Sequence, residues 1–178
     1  MKRLILLRHA KAVPASPDLD DRDRRLADRG RSDAIRMGQF LKEEALLPEL
    51  VLCSPAQRTR ETLDLVLPQL FVTPIVRHLP ELYLARWLTI VNLVRQVRDK
   101  ADTLLLIGHN PGLEEAVKKL ARPPGDTKTR KLHQLLGAEY PTAAVAILEF
   151  DVEMWSAVER GDGELLNFVR PRDLRGPD

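Results

Sequence analysis

With 178 residues, 44% hydrophobic and 30% charged, the chain is long enough to bury one substantial core and has the balance of a soluble globular protein. Its 28 basic and 26 acidic residues leave a net charge of +2, which excludes a strong general pull towards nucleic acid or an anionic membrane. Cys53 stands alone, so no internal disulfide framework exists and a reducing compartment fits. The apolar run that follows the basic start ends at Arg8, too short for a signal peptide or a membrane span, and the cytoplasm is the expected location.

The first element is carried by Met1–Lys11, MKRLILLRHAK. Leu4 to Leu7 run without polar alternation, as in a parallel strand buried on both faces. Working groups of open α/β sheets sit past the carboxyl ends of such strands, where Arg8 and His9 fall. The following AVPASPDLDDRDRRLADRG reads as a surface loop of locally cancelling charges, with surface placement favoured for Arg22, Arg24 and Arg25 and a pocket opened by Arg8 and His9 as the alternative for one or two of its arginines. From about Arg31, Ala34, Met37, Leu41 and Ala45 give a helical stripe that Leu47-Pro48 ends. Leu50–Cys53 is a second buried strand.

Ser54-Pro55-Ala56-Gln57 carries the signals of a helix start: a capping serine, proline at the first position and a capping-box glutamine. Leu63, Val66, Leu67 and Leu70 form its buried stripe, and Arg58 falls in its first turn, beside free N–H groups that favour an anion. From spacing alone, ordinary surface charges are the favoured reading of Arg58 and Arg60. Phe71–Val76 is expected as an edge strand because of Pro74. Leu79-Pro-Glu-Leu82 places Glu81 in a turn, with Arg86 expected on the surface, and Leu88 to Val97 mark a helix ending near Asp99.

Thr103–Gly108 is the clearest strand, ending in His109-Asn110, and Pro111-Gly-Leu-Glu opens the next helix. Two histidines, each closing a buried strand, converge if those strands are neighbours. Arg122–Arg130 reads as a polar loop, Leu132, Leu135 and Leu136 as a short helix and Ala143–Phe150 as a late strand. Met154-Trp155 with Leu165–Val169 suggest an edge hairpin. Residues 171–178 read as a frayed tail behind a single domain over 1–170. The expected fold is α/β: three layers, a mostly parallel central sheet with helices on both faces, and the late edge hairpin.

Arg8, His9, Arg58 and His109, with Glu81 nearby, suit phosphoryl chemistry. Guanidinium forks bind phosphoryl oxygens bidentately and keep their charge. An imidazole between them can attack phosphorus, a second, if protonated, adds charge at the equatorial oxygens, and a carboxylic acid can protonate a leaving group and later activate water. A metal site is the main competitor for two histidines and a carboxylate. It is disfavoured by the adjacent arginines and by the lack of HxH, HExxH or paired-Cys spacing, and neither GxxxxGK[ST] nor GxGxxG occurs. No metal and no cofactor are expected.

LRHAK, SPAQRTRET, LPEL and GHNPGL, in this order and on these elements, resemble the motifs of the histidine phosphatase superfamily, the phosphoglycerate-mutase-like fold, and within it the SixA-type phosphohistidine phosphatases. Arg24-Arg-Leu26…Gly30 also resembles the family's Arg-x-Leu-x-x-x-Gly stretch. The resemblance spans nearly the whole chain. It implies His9 as nucleophile, Arg8, Arg58 and His109 as phosphate pocket and Glu81 as acid. Three departures stand out: Ala10 replaces the usual Gly, which is cheap if its φ is negative; no Glu-Ser…Asn follows, which argues against mutase activity; and Ala27 replaces a capping Thr or Ser, leaving that cap weaker or shifted to Asp28.

Between Glu81 and His109 there is room for one helix and one strand, so the insert that covers the pocket in larger relatives is missing. An open site suits a phosphohistidine presented by a protein, whose good leaving group asks little of an acid. The expected activity is therefore metal-independent dephosphorylation of phosphohistidine on a protein partner, with no nucleic-acid or membrane partner and no oligomeric state read from the sequence. The alternatives are a phosphatase of small esters or nucleotides and, less favoured because all four pocket residues are present, a non-catalytic phosphate-binding regulatory module.

Overall fold

The computed structural model describes residues 1–175. Its centre is a six-stranded sheet in the order β3-β2-β4-β1-β5-β6, built from β1 (Lys2–Arg8), β2 (Leu50–Cys53), β3 (Ile75–His78), β4 (Thr103–Gly108), β5 (Val145–Phe150) and β6 (Glu164–Val169). The four strands β3, β2, β4 and β1 run parallel, while β5 is antiparallel to β1 and β6 to β5. The helices are α1 (Asp28–Glu43), α2 (Gln57–Leu70), α3 (Trp87–Arg95), α4 (Gly112–Leu120) and α5 (Thr127–Ala138).

Period-2 alternation in the strands sorts two cores onto the two faces of the sheet. Ile5, Leu7, Val51, Cys53, Leu105 and Ile107 pack against α1 and α2 through Met37, Leu41, Leu63 and Val66. Leu4, Leu6, Leu50, Leu52, Leu104 and Leu106 pack against α3, α4 and α5 through Ile90, Val94, Leu113, Val117 and Leu136. Both faces of the central strands are covered, which is why they read as unbroken apolar runs. The expected three-layer fold is the observed one. Among the described residues no helix is long and apolar enough to cross a membrane.

Several elements differ in extent from the sequence reading. Helix α1 begins at Asp28 and stops before Ala45, whose left-handed φ of 53° turns the chain away. The edge strand starts at Ile75, because Phe71 sits in the left-handed region at the end of α2 and Pro74 precedes the first ladder bond. Edge position holds, since β3 pairs with β2 alone. The late antiparallel pair is β5 with β6; Met154-Trp155 does not contribute, since Trp155 opens a 3-10 turn, buried with its Nε1 donating to the Ala101 carbonyl at 2.9 Å. Asp126 and Thr129 form a capping box, which lengthens α5 into the segment read as a loop. The tail begins with order: Pro171–Leu174 form a 3-10 turn with Pro171 buried, while residues 176–178 lie outside the described ones.

Candidate active site

The carboxyl ends of three neighbouring strands build the site. Arg8 of β1 stands opposite Gly108 of β4, and the ladder continues one step as the His9 N–H donates to the Gly108 carbonyl at 3.1 Å. On the other side of β4, the Ser54 N–H donates to the Ile107 carbonyl at 3.0 Å. Adjacency of β1 and β4 therefore carries His9 and His109 to the same edge, with ring centroids 5.3 Å apart. Arg58, in the first turn of α2, reaches His109 and is only 2% exposed. With Lys11, Ala12, Asp21, Arg24, Leu84, Asn110 and Thr142, these four residues line a cavity of about 310 Å³.

His9 is oriented by its own neighbour. Its Nδ1 lies 2.8 Å from the Ala10 carbonyl, which can only accept, so Nδ1 carries the proton and Nε2 keeps its lone pair. Ala10 is buried with negative φ, and its N–H donates to Thr62 Oγ1 at 3.0 Å, so the missing glycine leaves no strain here. Burial above all, and then the guanidiniums of Arg58, Arg8 and Arg24, press the His9 pKa down to about 4. Near neutrality the ring is uncharged.

The environment of His109 settles its tautomer as well. Arg58 Nη2 donates to Nδ1 at 3.3 Å, which puts the ring proton on Nε2, where it donates to Ser54 Oγ at 2.7 Å. Burial first, then repulsion from His9 and Arg58, lowers its pKa to about 3. The condition that the second imidazole be protonated is thus not met near neutrality; positive charge in the cavity comes from arginines. Ser54 does not cap α2: the N-cap is Ala56, without a side-chain bond, and the serine hydroxyl serves His109.

Arg8 Nη1 donates to the Tyr140 carbonyl at 2.7 Å, and Asn110 Nδ2 shares that acceptor at 3.2 Å while also donating to Glu114 at 3.0 Å. The Nε atoms of Arg8 and Arg58 are buried without a partner among the described residues. Asp21, unforeseen in the charged loop, enters the cavity. Arg58 Nη1 donates to its carbonyl at 2.6 Å, Arg58 Nη2 and the Tyr83 hydroxyl donate to Oδ2, and Arg24 Nε donates to Oδ1. The Tyr83 bond, followed by Arg58 and Arg24, holds the Asp21 carboxyl down at about 2. Arg24, expected at the surface, lines the cavity instead, while Arg22, Arg25 and Arg86 are exposed.

Of the residues expected in the site, Arg8, His9, Arg58 and His109 are brought together. Glu81 lies in the exposed turn Pro80–Leu82 and is not among the cavity-lining residues. Asp21, Arg24, Ser54, Tyr83 and Asn110 were missed as site members. Arg24 and Asn110 do stand in the quoted Arg-x-Leu-x-x-x-Gly and GHNPGL stretches, whereas Asp21 sits in an aperiodic acidic-basic run that marks nothing out. Ala27 is the N-cap of α1 without a side-chain bond, so that cap is weaker and has not moved to Asp28. Among the described residues no group of three or more His, Cys, Asp or Glu is placed to hold a metal ion.

Fold and cluster together define a class of α/β protein with two histidines and two arginines at the carboxyl edge of its parallel strands. The chain belongs to the histidine phosphatase superfamily (branch 1), whose family model matches residues 4–122. It is 32% identical over 169 residues to an uncharacterized protein of Mycobacterium leprae (strain TN), covering 93% of this chain and all of that one. Its structure is similar to that of a protein from Agrobacterium tumefaciens provisionally named phosphohistidine phosphatase SixA, with 28% identity, 96% of this chain and 98% of that chain covered and a TM-score of 0.78. A similarly named protein from Nakamurella multipartitia gives 28% identity, 96% coverage of each chain and a TM-score of 0.81. Family membership supports phosphatase activity and a SixA-like architecture.

Proposed function

We propose that this phosphatase removes the phosphoryl group from phosphohistidine on a protein, through a phosphohistidine intermediate on His9, with residues 1–170 acting as one domain. The observation that carries this reading is the state of His9: neutral, proton fixed on Nδ1 by the Ala10 carbonyl, and Nε2 free among guanidiniums. Nε2 attacks phosphorus, the P–N bond of the substrate breaks, and its imidazole departs with the ring nitrogen protonated. Water then attacks phosphorus, the bond to Nε2 breaks, and phosphate leaves. Arg8 and Arg58 neutralise the equatorial oxygens in both steps, where catalysis of phosphoryl transfer acts.

Substrate class is supported by two further observations. The carboxylate inside the cavity, Asp21, is held at about 2 and has no proton to give, while Glu81 stands outside the lining. A phosphoramidate whose leaving imidazole takes its proton from water tolerates that arrangement better than an alkyl ester. Between Glu81 and His109 the chain adds only α3 and β4, leaving the mouth accessible to a macromolecule. The provisional names of the Agrobacterium and Nakamurella proteins point the same way. Glu81 is then the acid for poorer leaving groups only.

The test is phosphate release from a phosphohistidine-bearing protein beside a small phosphomonoester, in chelator, with His9→Ala as the blank. We expect faster release from the protein, loss in the blank, and a Glu81→Gln variant that slows the ester by about tenfold or more while sparing phosphohistidine. Release from the ester alone would overturn the substrate assignment. Undiminished release by His9→Ala would overturn the nucleophile.

A further inference from the structure

Leu84 faces the cavity from a backbone conformation that leucine rarely takes. Its φ is 49°, in the left-handed region that favours glycine. The turn is held on both sides of it. Before it, Leu82 is buried, and Tyr83 donates its hydroxyl to Asp21, lies under the Arg22 guanidinium at 4.4 Å and meets the His109 ring edge-on at 5.5 Å. After it, the Ala85 carbonyl presses so closely on α4 that a Cβ on Gly112 would lie 1.8 Å from it. With both flanks pinned, the reversal falls on residue 84. Glycine or asparagine would make it with less strain.

The residue actually present is 54% exposed and lines the cavity, where, among the described residues, Ala12 is the only other apolar side chain. A half-exposed leucine beside arginines does nothing for free phosphate. It offers dispersion contact to the carbon skeleton that carries the phosphoryl group. We propose that Leu84 is a specificity-determining residue, packing against the polypeptide that flanks the phosphohistidine. This rests on the function proposed above and names the residue that reads the protein part of the substrate.

The test compares Leu84→Gly with Leu88→Ala, a control at a leucine 52% exposed but outside the cavity lining. Because glycine relieves the turn, Leu84→Gly is expected to melt no lower than the wild type; should it fail to fold, Leu84→Asn takes its place. On the phosphohistidine protein, kcat/KM falls about tenfold, mainly through KM, as expected for one lost apolar contact. Turnover of phosphoramidate and the affinity for tungstate stay unchanged, and Leu88→Ala matches the wild type throughout. An unchanged kcat/KM on the protein, or an equal fall on phosphoramidate, overturns the assignment of Leu84. A wild type that hydrolyses phosphoramidate but leaves the protein untouched overturns the proposed function, and this assignment with it.

Discussion

His9 and His109 are neutral near pH 7 for the same first reason, burial, and for a second one, the positive charges around them. Protonating either in the folded protein is therefore harder than in the unfolded chain, whose histidines titrate near 6.5. Between that value and about 4 the unfolded state holds more protons, so stability falls as the pH drops through this window. Urea unfolding across the range should show that decline, and His109→Gln should flatten it; an equal slope in the variant would refute the assignment. Leu84 is also under local stress. A left-handed leucine costs about 1 kcal/mol, retained at the mouth of the cavity rather than removed by a glycine. Ser54 shows how the same side chain is spoken for twice: its hydroxyl accepts from the buried His109 Nε2–H at 2.7 Å and only distantly, at 3.5 Å, from the Ala56 N–H where the helix begins.

At the scale of elements, the site depends on how closely the loops after β1 and β3 approach α1 and α4. Gly30 permits the first approach: a Cβ there would lie 2.0 Å from the Lys11 carbonyl, just past the end of β1. Gly137, inside α5, meets nothing within 4 Å. Gly137→Ala should thus stabilise the protein by about 0.5–1 kcal/mol through helix propensity. Gly30→Ala, equally helical, should destabilise it by about 1–3 kcal/mol, because backbone must shift. Denaturant midpoints of the two variants decide the matter, and like signs would refute the packing argument. Helix starts were legible as starts, but their chemistry was not. Both α1 and α2 begin at alanine N-caps with no side-chain bond, and the polar residues nearby serve other partners: Glu61 accepts from the Leu26 N–H at 2.7 Å, Ser54 from His109.

For the whole molecule, the buried parallel strands form a frame whose carboxyl edge holds the proposed phosphate pocket. A ligand that binds only the folded state stabilises all of it, by about 2.7 kcal/mol at one hundred times its dissociation constant. Tungstate should therefore raise the melting temperature of the full chain in the presence of chelator, and Arg58→Ala should abolish the rise. A rise that survives in that variant would place the anion elsewhere. Residue order alone determined much of this protein: apolar runs at Leu4–Leu7 and Thr103–Gly108 are strands because only both-face burial suits them, Arg8, His9 and His109 stand out by falling at strand ends, and Arg58 stands out only through the SPAQRTRET motif. Tertiary structure alone decided that β1 and β4 are neighbours, so that the two histidines meet. It also turned Asp21 and Arg24 inward and left Glu81 outside the cavity. The reason is physical. Periodicity encodes which face of an element is buried, a local property. Which loop side chain lands in a pocket depends on strand order and on backbone approach between segments distant in sequence, and no local pattern carries that information.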